Sequence, residues 1–322
     1  MPLQAMKQQI LQLNPILIPR VNEHLANTYK VHKLFEMENP QAWLQTHGTQ
    51  IEAVITGGHT GISRDMLAQL PALKVVAING VGTDAVDLAY CRERKLAVTA
   101  TLGALTEDVA DLAIGLLLSA CRNIATVDRF VRDDQWPQFP QPSAIPLARR
   151  FSGMHVGIVG LGRVGRAVAS RAVAFGCTIS YTDLSCMTDV PYRFVPGLVE
   201  LAQDVDALVL CAAADKAEGI VNAKVLDALG PQGFLVNVAR GRLVNEPDLC
   251  RAIAENKIAG AGLDVFVDEP NVPTELRHSD KVTLQAHRAS ATWETRAAMA
   301  DMVVASVAQA LAGKRPEMSL TT

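Results

Sequence analysis

The stretch that most restricts this chain is Val156–Asp183, VGIVGLGRVGRAVASRAVAFGCTISYTD. Its opening residues are β-branched and apolar, the composition of a strand buried on both faces of a parallel sheet. Gly160, Gly162 and Gly165 follow with the spacing G-x-G-x-x-G. In that pattern the first glycine allows a tight turn and the second lets backbone approach a pyrophosphate. The third lets the next helix pack against the strand. The helical run RAVASRAVAF would turn its unpaired N–H groups and positive dipole end toward the phosphates. A second strand, CTISY, leads to Asp183, eighteen residues after Gly165, where a carboxylate can accept hydrogen bonds from a ribose. Strand, glycine turn, helix, strand and acid in this order predict a dinucleotide-binding unit.

A chain of 322 residues exceeds the usual size of a single core, so two domains are expected. Its 49% hydrophobic and 20% charged residues describe a soluble globular protein. A net charge of −3 provides no electrostatic drive toward nucleic acid or an anionic membrane, and neither partner is expected. The N-terminal MPLQAMKQQILQL lacks the apolar core and cleavage site of a signal peptide. The run Leu112–Cys121 falls short of the ~20 residues that cross a bilayer. Cys91, Cys121, Cys177, Cys186, Cys211 and Cys250 form no CxxC pair. Buried free thiols in a reducing cytoplasm are the expectation, and no metal site is expected.

From residue 15 to 99, short apolar runs alternate with helical patterns. PILIP, IEAVITGG, LKVVAING and LAVTAT read as strands; Pro40–His47, Ser63–Leu70 and Asp84–Lys95 read as helices, with Ser63 and Asp84 as N-caps. Such alternation predicts a parallel sheet with helices on its faces and ligands beyond the carboxyl ends of its strands. Two glycine turns fall at such ends, Thr56-Gly57-Gly58 and Asn79-Gly80-Val81-Gly82. Their backbone N–H groups could form a nest for a small carboxylate, or serve only as turns. One long helix is expected from Leu105 to about Arg132, suited to lie between two domains, and Trp136 with four prolines then marks an exposed loop or inter-subunit arm. Later strands, DALVLC, GFLVNV, AGAGLDVF and VTLQ, precede a final helix from Thr292 to Leu311. Each ends near a polar or ionisable residue.

Three of those residues, Arg240, Glu269 and His287, combine into a chemistry that none has alone. A guanidinium can hold a carboxylate and polarise a neighbouring keto oxygen with its planar fork of donors. An imidazolium can protonate that oxygen while hydride arrives on carbon, and the neutral ring can take the proton back. A carboxylate paired with the imidazole favours its charged form and fixes its orientation. Hydride transfer to a 2-oxo acid is the reaction that uses all three.

Longer motifs carry a family resemblance: GVGTDAVD (80–87), TEDVADLAIGLLL (106–118), GIVGLGRVG (157–165), VNVARG (236–241), GAGLDVFVDEP (260–270) and HRASAT (287–292). With these the chain resembles the D-isomer-specific 2-hydroxyacid dehydrogenases over nearly its whole length. The resemblance implies an α/β protein of two Rossmann-like domains. The substrate domain would comprise 1–99 and 286–322, with a doubly wound dinucleotide-binding domain over 100–285, and a homodimer is implied. It makes Arg240, Glu269 and His287 the catalytic groups. It assigns Asp264 and Val109 to the nicotinamide carboxamide. Arg163, Val164, Cys211, Ala212, Ala239 and His287 complete the cofactor surface around Gly160, Gly162, Gly165 and Asp183. Val81 and Gly82 would offer N–H groups to the substrate carboxylate. Gly58, His59, Ser290, Arg288 and Trp136, the last from this chain or a partner, are candidates for the substrate pocket, along with Arg240 and His287.

Within the family, FGCTISY, LGPQGFLVNVARG and ATWETRAAM most resemble glyoxylate/hydroxypyruvate reductases and hydroxyphenylpyruvate reductases. Those relatives often use NADPH, with an Arg or Ser/Thr after the second strand. This chain has Asp183-Leu184-Ser185, and a carboxylate there would repel a 2′-phosphate, so NADH is the expected cofactor with NADPH left open. Ala286 stands where proline is usual, Asn245 where an acid is common, and Arg288 is an unusual neighbour for the histidine. D-lactate, short-form phosphoglycerate and aromatic 2-oxo acid reductases are the alternatives within the family. A nicotinamide-sensing binding protein of corepressor type is the alternative outside enzymes.

Overall fold

The computed structural model of the protein describes residues 7–141, 143, 145–213 and 217–321. Its strands form two parallel sheets, each the core of a separate compact unit. One unit comprises the chain up to Leu105 together with the chain from Ala291; the other runs from Thr106 to Ser290.

The first unit contains β1 (Gln9–Gln12), α1 (Pro19–Thr28), β2 (Lys30–Lys33), α2 (Pro40–His47), β3 (Ile51–Gly57), α3 (Arg64–Ala68), β4 (Val75–Asn79), α4 (Leu88–Glu93) and β5 (Ala97–Ala100). The sheet order is β2-β1-β3-β4-β5, and every pairing is parallel. Side chains alternate across a strand, so each strand supplies both faces. Ile10, Ala53, Ile55, Val75 and Ala77 pack on one side with Val21 and Leu25 of α1. Leu11, Val54, Val76 and Val98 pack on the other with Leu44, Leu67 and Cys91 of α2–α4. Each of the Val, Leu and Ile side chains among them contributes about 1.5–3 kcal/mol on burial.

The second unit holds α5 (Thr106–Arg122), α6 (Ile124–Arg132), β6 (His155–Val159), α7 (Arg163–Ala174), β7 (Thr178–Thr182), β8 (Arg193–Phe194), α8 (Leu198–Asp204) and β9 (Ala207–Leu210). It continues with α9 (Ala223–Leu229), β10 (Phe234–Asn237), α10 (Glu246–Ala254), β11 (Gly260–Leu263), α11 (Thr274–Arg277) and β12 (Val282–Leu284). Its sheet order is β12-β11-β10-β9-β6-β7-β8, all parallel. The order reverses between β6 and β9, which makes the space beyond their carboxyl ends the topological switch point where such sheets bind ligands. The last helix, α12 (Trp293–Leu311), returns to the first unit and sets Ala300, Val303 and Val307 against the sheet face already lined by α1.

Several expectations change. The first strand is Gln9–Gln12, whereas PILIP is the connector into α1. Two apolar runs compete there, and Pro19, lacking an N–H, suits the first turn of a helix better than a strand interior. The edge strand β2 and the two-residue β8 are too short and polar to announce themselves. Asp87, not Asp84, caps α4 by accepting from Tyr90 N at 2.9 Å. Ser63 does cap α3, through Met66 N at 3.2 Å. The long helix from 105 to 132 is broken into α5 and α6, bent by 64°, with Asn123 at φ +55° between them. Asn is among the residues that tolerate the left-handed region, so the break is local chemistry that apolar periodicity does not reveal. Residues 100–105 sit with the first unit and 286–290 with the second. The reason for the latter is hydrogen bonding. Gln285 N and His287 N donate to Leu263 O and Asp264 O, both at 2.8 Å.

Cys91, Cys121 and Cys177 are buried, Cys211 and Cys250 partly so, and Cys186 is exposed; all six are free thiols. Burial raises the first five, Cys211 to about 12. The run AAAD (212–215), which reads from sequence as a small-residue turn after the DALVLC strand, extends into 214–216, outside the described residues. Among the described residues no single helix is long and apolar enough to cross a membrane.

Candidate active site

The glycine turn stands at the end of β6, at the switch point. Gly160 has φ +89°, and a Cβ there would lie 2.5 Å from Ala212 Cα beyond β9, so neither its backbone nor its surroundings admit a side chain. Gly165 would place a Cβ 2.2 Å from Gly160 O and 3.1 Å from Ile158 Cγ2, the close packing of α7 on β6. Gly162 differs. It is the N-cap residue of α7, at φ −73°, and a Cβ on it would meet nothing within 4 Å. Open space against unpaired helix N–H groups is what a pyrophosphate requires. Arg163 is exposed and Val164 half-buried in the first turn of α7.

Asp183 follows β7 and is tied back to the same turn. Its Oδ2 accepts from Leu161 N and its Oδ1 from Leu184 N, both at 2.7 Å. Each oxygen keeps a lone pair, so the held carboxylate can still receive two ribose hydroxyls. These residues fit an adenine dinucleotide cofactor. Cys211 and Ala212, after β9, border the turn, with Cys211 N bonded to Val159 O at 2.8 Å.

The ionisable groups stand at the ends of the next strands. Asn237, the last residue of β10 and 1% exposed, brackets the turn that follows: its Oδ1 accepts from Ala239 N at 3.0 Å and its Nδ2 donates to Arg240 O at 2.9 Å. Arg240 is thereby set at the tip, half-buried, with Nη1 donating to Ala239 O at 2.8 Å. Beyond β11, Glu269 folds back so that Oε1 accepts from Phe266 N at 2.9 Å, while Oε2 meets His287 Nδ1 at 2.7 Å. A carboxylate only accepts, so Nδ1 carries the proton in this pair and Nε2 is left to exchange one with a ligand.

His287 adopts φ +52°, in the left-handed region that few non-glycine residues enter, and is held there by its neighbours. Asp264 does the holding. Its backbone oxygen accepts from His287 N at 2.8 Å, and its carboxylate accepts from Arg288 N at 2.7 Å and Ala289 N at 3.1 Å. Asp264 is 1% exposed; burial raises its pKa, and the two N–H donors oppose that rise. Val109, on α5, is also buried.

Two supports were not apparent in the sequence. Asn237 lies inside the VNVARG motif without looking functional. Glu246 accepts from Val267 N at 2.8 Å, which anchors the turn leading to Glu269. Burial, followed by the nearby charges of Asp268 and Glu269, raises its pKa against the lowering effect of that hydrogen bond. The preceding Asn245 is the N-cap of α10 through Asp248 N at 3.1 Å, a role in which Asn and Asp are equivalent. The replacement of an acid there is thus structurally neutral.

In the first unit, the two glycine turns meet backbone to backbone: a Cβ on Gly58 would lie 3.1 Å from Gly82 O, and one on Gly80 3.2 Å from Gly58 N. Thr101 ties the second turn by donating from N and Oγ1 to Gly80 O. Val81 is half-buried and His59 exposed. In the second unit Ser290 is half-buried, Arg288 exposed and Trp136 59% exposed.

The family model for the D-isomer specific 2-hydroxyacid dehydrogenase NAD-binding domain matches residues 114–289. Among similar proteins, a glyoxylate/hydroxypyruvate reductase A of Arabidopsis thaliana is 40% identical over 306 residues, 95% of this chain and 96% of its own. A 2-ketogluconate reductase of Gluconobacter oxydans is 40% identical over 299 residues, 92% and 94% of the two chains. A solved NADPH-dependent glyoxylate/hydroxypyruvate reductase from Sinorhizobium meliloti, in complex with NADP and malonate, aligns with a TM-score of 0.89 at 36% identity, covering 98% of this chain and 97% of that one. With the glycine turn, the tethered acid and the Glu269–His287 pair in place, the chain belongs to the D-isomer-specific 2-hydroxyacid dehydrogenase family and is an NAD(P)-dependent oxidoreductase.

Proposed function

We propose that the protein reduces a small 2-oxo acid of the glyoxylate or hydroxypyruvate type to the D-2-hydroxy acid, with NADH as the preferred reductant. The observation that carries this reading is the 2.7 Å pair between His287 Nδ1 and Glu269, on a backbone pinned by Asp264. Bound nicotinamide supplies the hydride to the keto carbon. Arg240 holds the substrate carboxylate and draws electron density toward the keto oxygen. His287 delivers the Nε2 proton to that oxygen as negative charge develops, and Glu269 stabilises the imidazolium before transfer. In the oxidative direction the neutral ring takes the hydroxyl proton. The family resemblance gives the N–H groups of Val81 and Gly82 to the substrate carboxylate, and Asp264 with Val109 to the carboxamide.

Asp183 supports NADH. A fixed carboxylate accepts ribose hydroxyls but opposes a 2′-phosphate at the same place, as like charges about 4 Å apart do at several kcal/mol where solvent is partly excluded. A homodimer is supported by α6, which contributes no buried residue, and by Trp136, Phe139 and Leu147, at 59%, 53% and 100% exposed. Six unbridged cysteines suit a reducing cytoplasm. The test is a steady-state panel of glyoxylate, hydroxypyruvate, 2-ketogluconate and phenylpyruvate with each reductant. The highest kcat/KM is expected for glyoxylate or hydroxypyruvate. A preference for 2-ketogluconate or phenylpyruvate would reject the substrate class, and a tenfold preference for NADPH would reject the cofactor reading.

A further inference from the structure

The first unit carries a second concave surface, at the end of its sheet away from the glycine turns. Lys74 precedes β4 and Lys95 and Leu96 lead into β5 at Ala97, whereas Gly57 and Asn79 are the opposite ends of β3 and β4. The five residues of β4, at about 3.3 Å each, separate the two ends by roughly 15 Å. Here a cavity of about 570 Å³ opens between the β4–β5 edge, the last turn of α12 and the C-terminal segment. That volume lies in the range of small-molecule sites.

The cavity is built by specific bonds. Thr321, 5% exposed, donates from Oγ1 to Leu96 O at 2.6 Å and accepts there from Val98 N at 3.0 Å. Leu320 N donates to Val98 O at 2.7 Å, and Ser319 bridges Thr99 in antiparallel sense. The C-terminal segment is thus fastened along β5 as one wall. Leu96, Ala310 and Pro316 supply apolar surface.

The remaining lining is cationic: Lys74, Lys95, Lys314 and Arg315, all exposed, and no acid lines the cavity. Lys74 pairs with Glu52 at 2.7 Å. Lys95, Lys314 and Arg315 have no ion pair among the described residues. Cations after a helix C-terminus complement its dipole, but that end carries only about half a negative charge. The cations that line the cavity are thus only partly offset by Glu52 and the helix dipole, in a chain whose net charge is −3. We propose that this cavity is a binding site for a small organic polyanion bearing phosphate or carboxylate groups. Its charged groups would meet Lys95, Lys314 and Arg315, and its carbon skeleton the apolar wall.

The full-length protein, saturated with NADH and oxamate to occupy its other anion-binding positions, is titrated calorimetrically at constant ionic strength. The probes are inorganic tripolyphosphate and tricarballylate, and the probe that binds more tightly identifies the anionic group. One equivalent per chain is expected, with affinity at least about tenfold weaker in Lys95→Asn/Arg315→Gln, the scale of one lost charge-assisted contact. Lys314→Glu provides a second variant, and unchanged NADH oxidation in both variants verifies folding. Absence of binding by both probes, or equal binding by the folded variants, would overturn the proposal.

Discussion

Gly162→Ala separates cofactor binding from stability. Of the three glycines in the turn, only Gly162, at φ −73°, has open space where a Cβ would go. The fold should therefore accept alanine at the cost of N-cap preference, about 0.5–1 kcal/mol. For a protein of this size that lowers Tm by no more than about 2–4 °C. The methyl group would instead occupy the approach to the first turn of α7. Displacing a phosphate oxygen from one backbone N–H removes a charge-assisted hydrogen bond worth about 1.5–3 kcal/mol. The dissociation constant for NADH should rise by roughly ten- to a hundredfold, since each 1.4 kcal/mol is tenfold. Fluorescence titration with NADH and a thermal melt measure the two effects on one preparation. Gly160→Ala is the contrasting control, because φ +89° and a contact of 2.5 Å to Ala212 Cα make its damage structural. An NADH affinity within about twofold of the parent in a stable Gly162→Ala protein would refute the assignment of this turn to the pyrophosphate.

Three other outcomes follow from the same geometry. His287→Ala should lower kcat by at least ~10²-fold, the scale of a lost general acid, with a much smaller change in NADH affinity by titration; near-normal turnover would remove His287 from the role. Asp183→Ser, which removes the carboxylate and leaves a hydroxyl, should shift the NADH/NADPH ratio of kcat/KM toward NADPH by about tenfold or more. An unmoved ratio would show that selectivity resides elsewhere. Asp264→Asn opposes an amide N–H to one of the two donors now accepted, so kcat should fall as the His287 loop loosens, at a stability cost of about 1–3 kcal/mol near neutral pH. Because burial raises the folded-state pKa of Asp264 above the ordinary 3.8, the folded protein holds that proton after the unfolded chain has lost it. Wild-type stability from this group therefore falls as pH rises from the unfolded value through the folded one, and the variant lacks that decline. Denaturant melts of both proteins across the acid range should show the difference between them changing in this window; parallel curves would contradict it.

Much of the nucleotide unit was legible because its signals are local. The glycine spacing specifies which position turns, which is open and which packs, and the surroundings of Gly160, Gly162 and Gly165 in the fold agree with that division. Asp183 was placed correctly at a strand end because parallel strands deliver their carboxyl ends to one side. The differences arise where local pattern does not discriminate. PILIP reads as a strand, but the strand is Gln9–Gln12, which only its pairing with β2 and β3 reveals. The break at Asn123 depends on one residue entering the left-handed region within an otherwise continuous apolar pattern.

The sequence by itself determined the alternating α/β class and the cofactor class, which depend on residue type and near-neighbour spacing, and it marked Arg240, Glu269 and His287 as candidate groups at strand ends. Tertiary structure alone decided how those side chains are aimed. Glu269 and His287 are eighteen residues apart and meet only because the loops after β11 and β12 fold back onto adjacent parallel strands. Asp264 acts on residues 287–289 across the same strand pair, and Asn237 and Glu246 act on the turns that carry Arg240 and Glu269. A hydrogen bond depends on distance in space and is indifferent to separation along the chain, so these supports become visible only once the sheet is formed.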